Sequence, residues 1–278
     1  MMAGALLLSA CDDSFIDPFS NEDRFFTVYG FLDQLETEHA VRVIPVTRRA
    51  EVIRDPSEPQ ASIDAQVFSI DVRTGATERW EHSLERLDNG NLGHIFRGRF
   101  RVLEGRTYRL EVRRSDGVIT SAETTVPRLP ATKPNPDTLF FPFEVSPDAG
   151  LSQEVSIADL VSPWDIILTY DLQGTAVRLP YGRVGTRTDE GWRFTVDLQA
   201  DAPRMRQVLG LTDTAPLPLL HAICLQVRLL DQQWDPPQGL FDAEILAQPG
   251  TLSNVENGYG FFGSIGLYQY TWIQPPQS

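Results

Sequence analysis

Lysine is almost missing from this chain: Lys133 is its single lysine, and arginine supplies the rest of the 24 basic residues. Against them stand 38 Asp and Glu, for a net charge of -14. A surface of that sign repels phosphate backbones, which argues against nucleic acid as a partner. Cysteine occurs twice, at Cys11 and Cys224, and histidine four times. His39, His82 and His94 each lie more than four residues from any other His or Cys, and the one closer pair, His221 and Cys224, is too small a set to hold a metal. No metal site, catalytic triad or cofactor is therefore predicted from local spacing. There is no Gly-x-Ser-x-Gly elbow and no His-Glu-x-x-His, and no catalytic residue can be nominated.

What the chain has is β patterning. At 278 residues, 41% hydrophobic and 10% aromatic, it can bury one large core or two ordinary ones. From Arg24 onward apolar residues recur with period two, the mark of half-buried strands. In "HIFRGRFRV", Phe96, Gly98, Phe100 and Val102 share one face and Arg97, Arg99 and Arg101 the other, so the first face is predicted inward. "TYRLEVRR" repeats the device with Tyr108, Leu110 and Val112. Turn signals fall at Thr74-Gly75, Asp88-Asn89-Gly90-Asn91 and Ser115-Asp116-Gly117.

About seven strands over residues 24–128 predict an immunoglobulin-like β-sandwich. Pro130, Pro134 and Pro136 then mark residues 129–136 as a stiff, Pro-rich linker. Residues 137–278 read as a second β-rich domain with one short helix, expected over Asp201–Leu209. Asp201 would cap it, Pro203 would sit in the first turn, Met205, Val208 and Leu209 would form its apolar stripe, and Gly210 would end it. The fold class is thus all-β (mainly β).

The N-terminal segment carries a different signal. Residues 3–10 are apolar but far too short to cross a bilayer. Leu8-Ser9-Ala10-Cys11 matches a bacterial lipobox: an aliphatic residue, two small ones, then the cysteine whose thiol takes diacylglycerol. Residues 1–10 are read as a signal peptide, truncated because no Lys or Arg precedes Cys11 and signal peptides run ~15–30 residues. Residues 11–23, with Asp12, Asp13, Asp17, Glu22 and Asp23, read as an acidic tether.

Three further features bear on binding. Gly258-Tyr259-Gly260-Phe261-Phe262-Gly263 spells the dinucleotide fingerprint, but a strand-like segment follows where a helix is required, so the glycines are expected to form a tight bend under packed aromatic rings. Asp231, Asp235, Asp242 and Glu244 miss the EF-hand spacing and read as an exposed acidic loop. Cys224 reads as an inert, partly buried thiol. Tyr268, Tyr270 and Trp272 alternate along the last strand, and if exposed would form a stacking platform for sugar or peptide.

Leu8-Ser9-Ala10-Cys11, "TYRLEV" with "SAETTVP", and "SNVENGYGFFGSIG" (Ser253–Gly266) together resemble uncharacterised Bacteroidota outer-membrane lipoproteins, a family of unknown function often encoded beside TonB-dependent receptors. The resemblance implies a lipid anchor at Cys11, an outer-membrane address with cell-surface exposure, and a non-catalytic role in binding a partner such as an outer-membrane receptor or its ligand. Two other readings stay open: an envelope hydrolase whose carboxylates converge only in three dimensions, and a structural or adhesive surface module. Oligomeric state is not encoded in any of these features.

Overall fold

The computed structural model describes residues 23–47, 52–139, 152–161, 163–231 and 253–273. The N-terminal half contributes β1 (Phe26–Asp33), β2 (Glu38–Pro45), β3 (Gln66–Asp71), β4 (Thr77–Arg79), β5 (Glu81–Arg86), β6 (Leu92–Arg99), β7 (Thr107–Arg113) and β8 (Ile119–Thr125). After the linker come β9 (Ser152–Ala158), β10 (Pro163–Leu172), β11 (Thr175–Gly182), β12 (Thr186–Arg187), β13 (Gly191–Asp197), the helix α1 (Leu198–Val208), β14 (Leu220–Leu230), β15 (Val255–Glu256) and β16 (Gly258–Ile273). The fold is all-β and sandwich-type.

The predicted turns lie where the chain reverses. Gly75, Gly90 and Gly117 have φ of 73°, 82° and 91°, a region open to glycine because a Cβ would clash with the backbone there. The predicted faces also match. Phe96, Tyr108, Leu110 and Val112 are buried, while Arg99, Arg101 and Arg109 are exposed. Arg97 and Arg99 both bind Glu38, at 3.3 and 2.9 Å, and the charge-assisted bonds from Arg97 hold the Glu85 carboxyl down to about 2. These pairs lie on the solvated side of the sheet, where each contributes little to stability.

Two cores form. One gathers Phe26, Val28, Val41, Phe96 and Phe262 against Val67, Tyr108, Leu110 and Val112. The other gathers Ile166, Leu168, Ile223, Leu225, Val227 and Trp272 against Val155, Ile157, Phe194 and Val196. The cores divide near the linker, but the sheet does not. A single eight-stranded sheet runs β11-β10-β14-β16-β1-β2-β6-β5 through both, and a five-stranded sheet (β15-β8-β7-β3-β4) and a three-stranded sheet (β12-β13-β9) complete the two sandwiches. Residues 24–128 therefore do not close a sandwich alone. Their sheet takes β16 as a parallel partner of β1, in register from Phe26 with Gly258 to Asp33 with Ile265.

The glycines of the fingerprint-like segment explain this pairing. They make no tight bend; they lie in the sixteen-residue strand β16, which continues to Ile273 where the fingerprint would require a helix. A Cβ on Gly258 would stand 2.4 Å from the Phe26 carbonyl oxygen, and one on Gly260, whose φ is 88°, would stand 2.1 Å from that of Val28. Only glycine lets the two backbones approach so closely.

A buried polar cluster fixes the same region. Asp231, expected on an exposed acidic loop, is 2% exposed. Its Oδ2 accepts hydrogen bonds from Thr124 Oγ1 at 2.7 Å and the Thr125 amide at 2.9 Å, and Ser264 Oγ donates to the Thr125 carbonyl at 3.0 Å. The cluster joins the end of β14 to β8 and β16. Asp235, Asp242 and Glu244 lie outside the described residues.

Gly260→Ala should destabilise the fold by about 2–4 kcal/mol, from the positive φ and the forced separation of β1 and β16. Gly75→Ala, at an open turn, should cost about 1 kcal/mol. Chemical denaturation of both variants checks the contrast, and equal losses would refute the close-packing role of Gly260.

Candidate functional site

The chemistry-bearing residues gather at the start of α1. The helix begins one turn earlier than its sequence suggests, because β13 runs directly into it. Asp197, not Asp201, is the cap, and its Oδ1 accepts the Ala200 amide at 3.0 Å. The buried stripe is consequently Leu198, Ala202 and Met205, with Val208 61% exposed. Asp201 falls inside the first turn, faces the core and is 2% exposed.

Two strands supply its partners. Tyr170 on β10 and Tyr181 on β11 both donate their hydroxyls to Asp201 Oδ2, each at 2.5 Å. Arg204 Nη1 lies 3.5 Å from Oδ1, and the Tyr181 oxygen accepts the Asp197 amide at 3.3 Å. Burial pushes the Asp201 carboxyl above the usual carboxylate range, against the opposing pull of the two hydroxyls and Arg204. Burial also raises both phenols, so each keeps its proton and remains a donor. The arrangement is a brace across two strands and a helix, with three donors surrounding one carboxylate.

Tyr181 also lines an open depression of about 340 Å³, with Glu154, Val184, Gly185, Arg193 and Phe194 among its walls. Glu154 and Arg193 pair across it at 3.3 Å on facing strands β9 and β13. Asp201 is buried behind the Tyr181 hydroxyl rather than presented to solvent. The depression thus offers an ion pair and an aromatic wall, which suits contact with a polar ligand better than proton transfer.

The aromatic row of the last strand is packed. Tyr268 and Trp272 are 7% and 2% exposed, and both belong to the second core, with Tyr270 packed against it. Their polar tips face the linker: the Tyr268 hydroxyl donates to the Thr132 carbonyl at 2.9 Å and Trp272 Nε1 to that of Pro136 at 3.2 Å. Desolvation pushes the Tyr268 phenol up to about 12. Tyr268 and Trp272 are therefore enclosed, and Tyr270 is half-buried. They fasten residues 129–136, which also bridge to β9 through reciprocal Asn135 and Ser156 backbone bonds of 2.8 Å.

Cys224 is a partly exposed free thiol, and Cys11 lies outside the described residues. Among the described residues no group of three or more His, Cys, Asp or Glu is placed to hold a metal, and no helix is long and apolar enough to cross a membrane. The structure does bring two histidines together: His82 Nε2 lies 3.0 Å from His94 Nδ1. A search at spacings of two to four residues cannot find a pair twelve apart, whereas the Asp88–Asn91 turn, by fixing hairpin register, could have. His39 is buried, donating from Nε2 to the Phe100 carbonyl at 3.0 Å while Nδ1 faces the Asp33 amide at 3.4 Å. Desolvation holds its imidazole below the usual histidine value. His221 is exposed.

No protein-family model matches the chain, and no curated protein matches it. Among solved structures it is similar to pullulanase from Anoxybacillus sp. LM18-11, alone at 15% identity and in complex with maltotriose at 16%. In both cases the TM-score is 0.23, with 72% of this chain and 24% of the other covered. The chain spans about a quarter of that enzyme's length, and a likeness at this score carries neither fold nor activity across.

Asp201→Asn should stay within about 1 kcal/mol of the parent near neutral pH, because its amide oxygen still accepts and the buried charge is gone. Asp201→Ala should lose about 2–5 kcal/mol by stranding two buried hydroxyls. Any advantage of Asn over Asp should vanish as pH falls through the raised folded-state value towards about 3.8, where Asp201 is protonated folded and unfolded alike. Urea melts of the three proteins test this, and equal stability of the Ala and Asn variants would defeat the brace.

His39 predicts the opposite limb. Its depressed folded-state value means that its stabilisation is complete above about 6.5 and erodes as pH falls below it, by at most about 1.4 kcal/mol per pH unit. His39→Gln should flatten that acid loss in melts recorded across the same range.

Proposed function

We propose that this protein is a lipid-anchored component of the cell envelope that acts by binding rather than catalysis. Cys11 carries the diacylglycerol, residues 11–23 tether the body to the outer membrane, and the immunoglobulin-like sandwich and its companion stand off the surface. The partner is an outer-membrane receptor of the TonB-dependent kind or the ligand that such a receptor takes. The observation that carries this reading is Leu8-Ser9-Ala10-Cys11 followed by Asp12 and Asp13. More than one acyl chain gives stable anchoring, where a single one does not.

The state of the carboxylates favours binding over hydrolysis. Glycoside hydrolysis by the common mechanism needs two carboxyl groups facing a common cleft. Asp201 is enclosed by two tyrosines, Asp231 by two threonines, and Glu154 is paired with Arg193. The depression beside Tyr181 is a surface suited to such contact, since it is concave and both charged and aromatic.

Metabolic labelling with an alkyne-tagged fatty acid, followed by membrane fractionation, tests the anchor. The parent should incorporate label and sediment with membranes, and Cys11→Ser should lose both. A Cys11→Ser protein that stays membrane-bound would remove the basis of this reading.

A further inference from the structure

The two histidines brought together by the β5–β6 hairpin have a property that the preceding reading does not use. His94 is 3% exposed, and its Nε2 lies 3.0 Å from the Gln60 carbonyl oxygen, in the short 3₁₀ turn Pro59–Ala61. A carbonyl can only accept, so Nε2 bears the proton and Nδ1 presents a lone pair. His82 Nε2 lies 3.0 Å from that lone pair and therefore donates to it. The pair's geometry and tautomers follow from one backbone oxygen. A ring nitrogen held as a lone pair by a carbonyl bound to the opposite nitrogen is also the arrangement that orients a histidine as a metal ligand.

We propose that His82 and His94 form a two-imidazole chelate for a late first-row divalent cation, with Cu²⁺ the best fit. Distance supports this. At a metal–nitrogen distance of about 2.0 Å, two imidazoles subtending a right angle have nitrogens about 2.8 Å apart, and at a tetrahedral angle about 3.3 Å. The observed 3.0 Å lies between them. Ring centroids 5.2 Å apart with an interplanar angle of 35° place the nitrogens nearly in line, so one ring must rotate for the lone pairs to converge. His94 stays fixed by Gln60, so the ring that turns is that of His82, the exposed member on the edge strand β5, which lies 4.9 Å from the Phe96 ring. Its proton moves from Nε2 to Nδ1 through solvent, and no redox step is involved.

Selectivity follows from the ligand set. Imidazole nitrogens suit Cu²⁺, Ni²⁺ and Zn²⁺, whereas Mg²⁺ and Ca²⁺ require oxygen. Among the described residues no third His, Cys, Asp or Glu joins the pair, so water completes the shell and tetragonal Cu²⁺ is favoured over closed tetrahedral Zn²⁺. The neighbouring Glu85 is engaged by Arg97 and Ser83, so it does not compete for the cation.

The full chain without an affinity tag would be titrated with Cu²⁺ near neutral pH, followed by electron paramagnetic resonance, with Zn²⁺ calorimetry as a redox-inert check. One Cu²⁺ bound with a two-nitrogen signature is expected, and no heat with Mg²⁺. His82→Ala and His94→Gln should each weaken binding by more than the roughly tenfold that loss of an outer-shell partner costs, because each removes one of the two protein ligands. His94→Gln retains a donor towards Gln60, and circular dichroism melts of each variant separate lost binding from lost folding. His221→Ala should bind as the parent does. Absence of a two-nitrogen Cu²⁺ signal, or binding of undiminished strength in folded His82→Ala and His94→Gln, would overturn the proposal.

Discussion

The parallel contact between β1 and β16 is the constraint on which the rest of this fold depends. Eight consecutive residue pairs join strands from opposite ends of the described chain. The contact is possible because Gly258 and Gly260 carry no Cβ where one would strike the Phe26 and Val28 carbonyls. Without it the first sandwich would end at an open edge on β1, and an unpaired edge invites association with other chains. With it, β16 continues past β1 to pair with β14 along Ile265–Ile273, so one strand serves both cores. Phe262 and Trp272 lie on this strand and are buried in different cores.

Two buried carboxylates at strand junctions have defined partners. Asp231 ties β14 to β8 through Thr124 and Thr125, and Ser264 on β16 returns a bond to the Thr125 carbonyl. Asp201 ties α1 to β10 and β11 through two phenols. Removing one side of such a contact strands the other away from water, which is more costly than the bond's net contribution. These carboxylates therefore act as cross-braces, and their enclosure is why they offer so little to a substrate. The linker is treated in the same way. Tyr268 and Trp272 donate to its carbonyls, so proline stiffness and hydrogen bonding together fix the distance between the cores.

The sequence was most legible where structure is local. Period two in residues 96–102 and 108–112 identified inward faces, because successive side chains of a strand must point to opposite sides. Asp-Gly and Asn-Gly identified turns, because few other residues tolerate positive φ. The helix was legible in kind but displaced by a turn. Asp197 and Asp201 are equally good caps by residue type, and only the direct run of β13 into α1 selects the first. The aromatic row showed its alternation but not its environment, since period two gives the same pattern for rings facing a ligand and rings facing a core.

What the sequence determined by itself is the class of the fold and the placing of its turns, both of which act over a few neighbouring residues. What only the tertiary structure decided is which strands meet and which side chains converge. The pairing of β16 with β1, the enclosure of Asp201 by Tyr170 and Tyr181, and the approach of His82 to His94 all join residues distant along the chain. Each depends on register and packing, and a local hydrophobic pattern specifies which face of a strand is buried without specifying what lies opposite it.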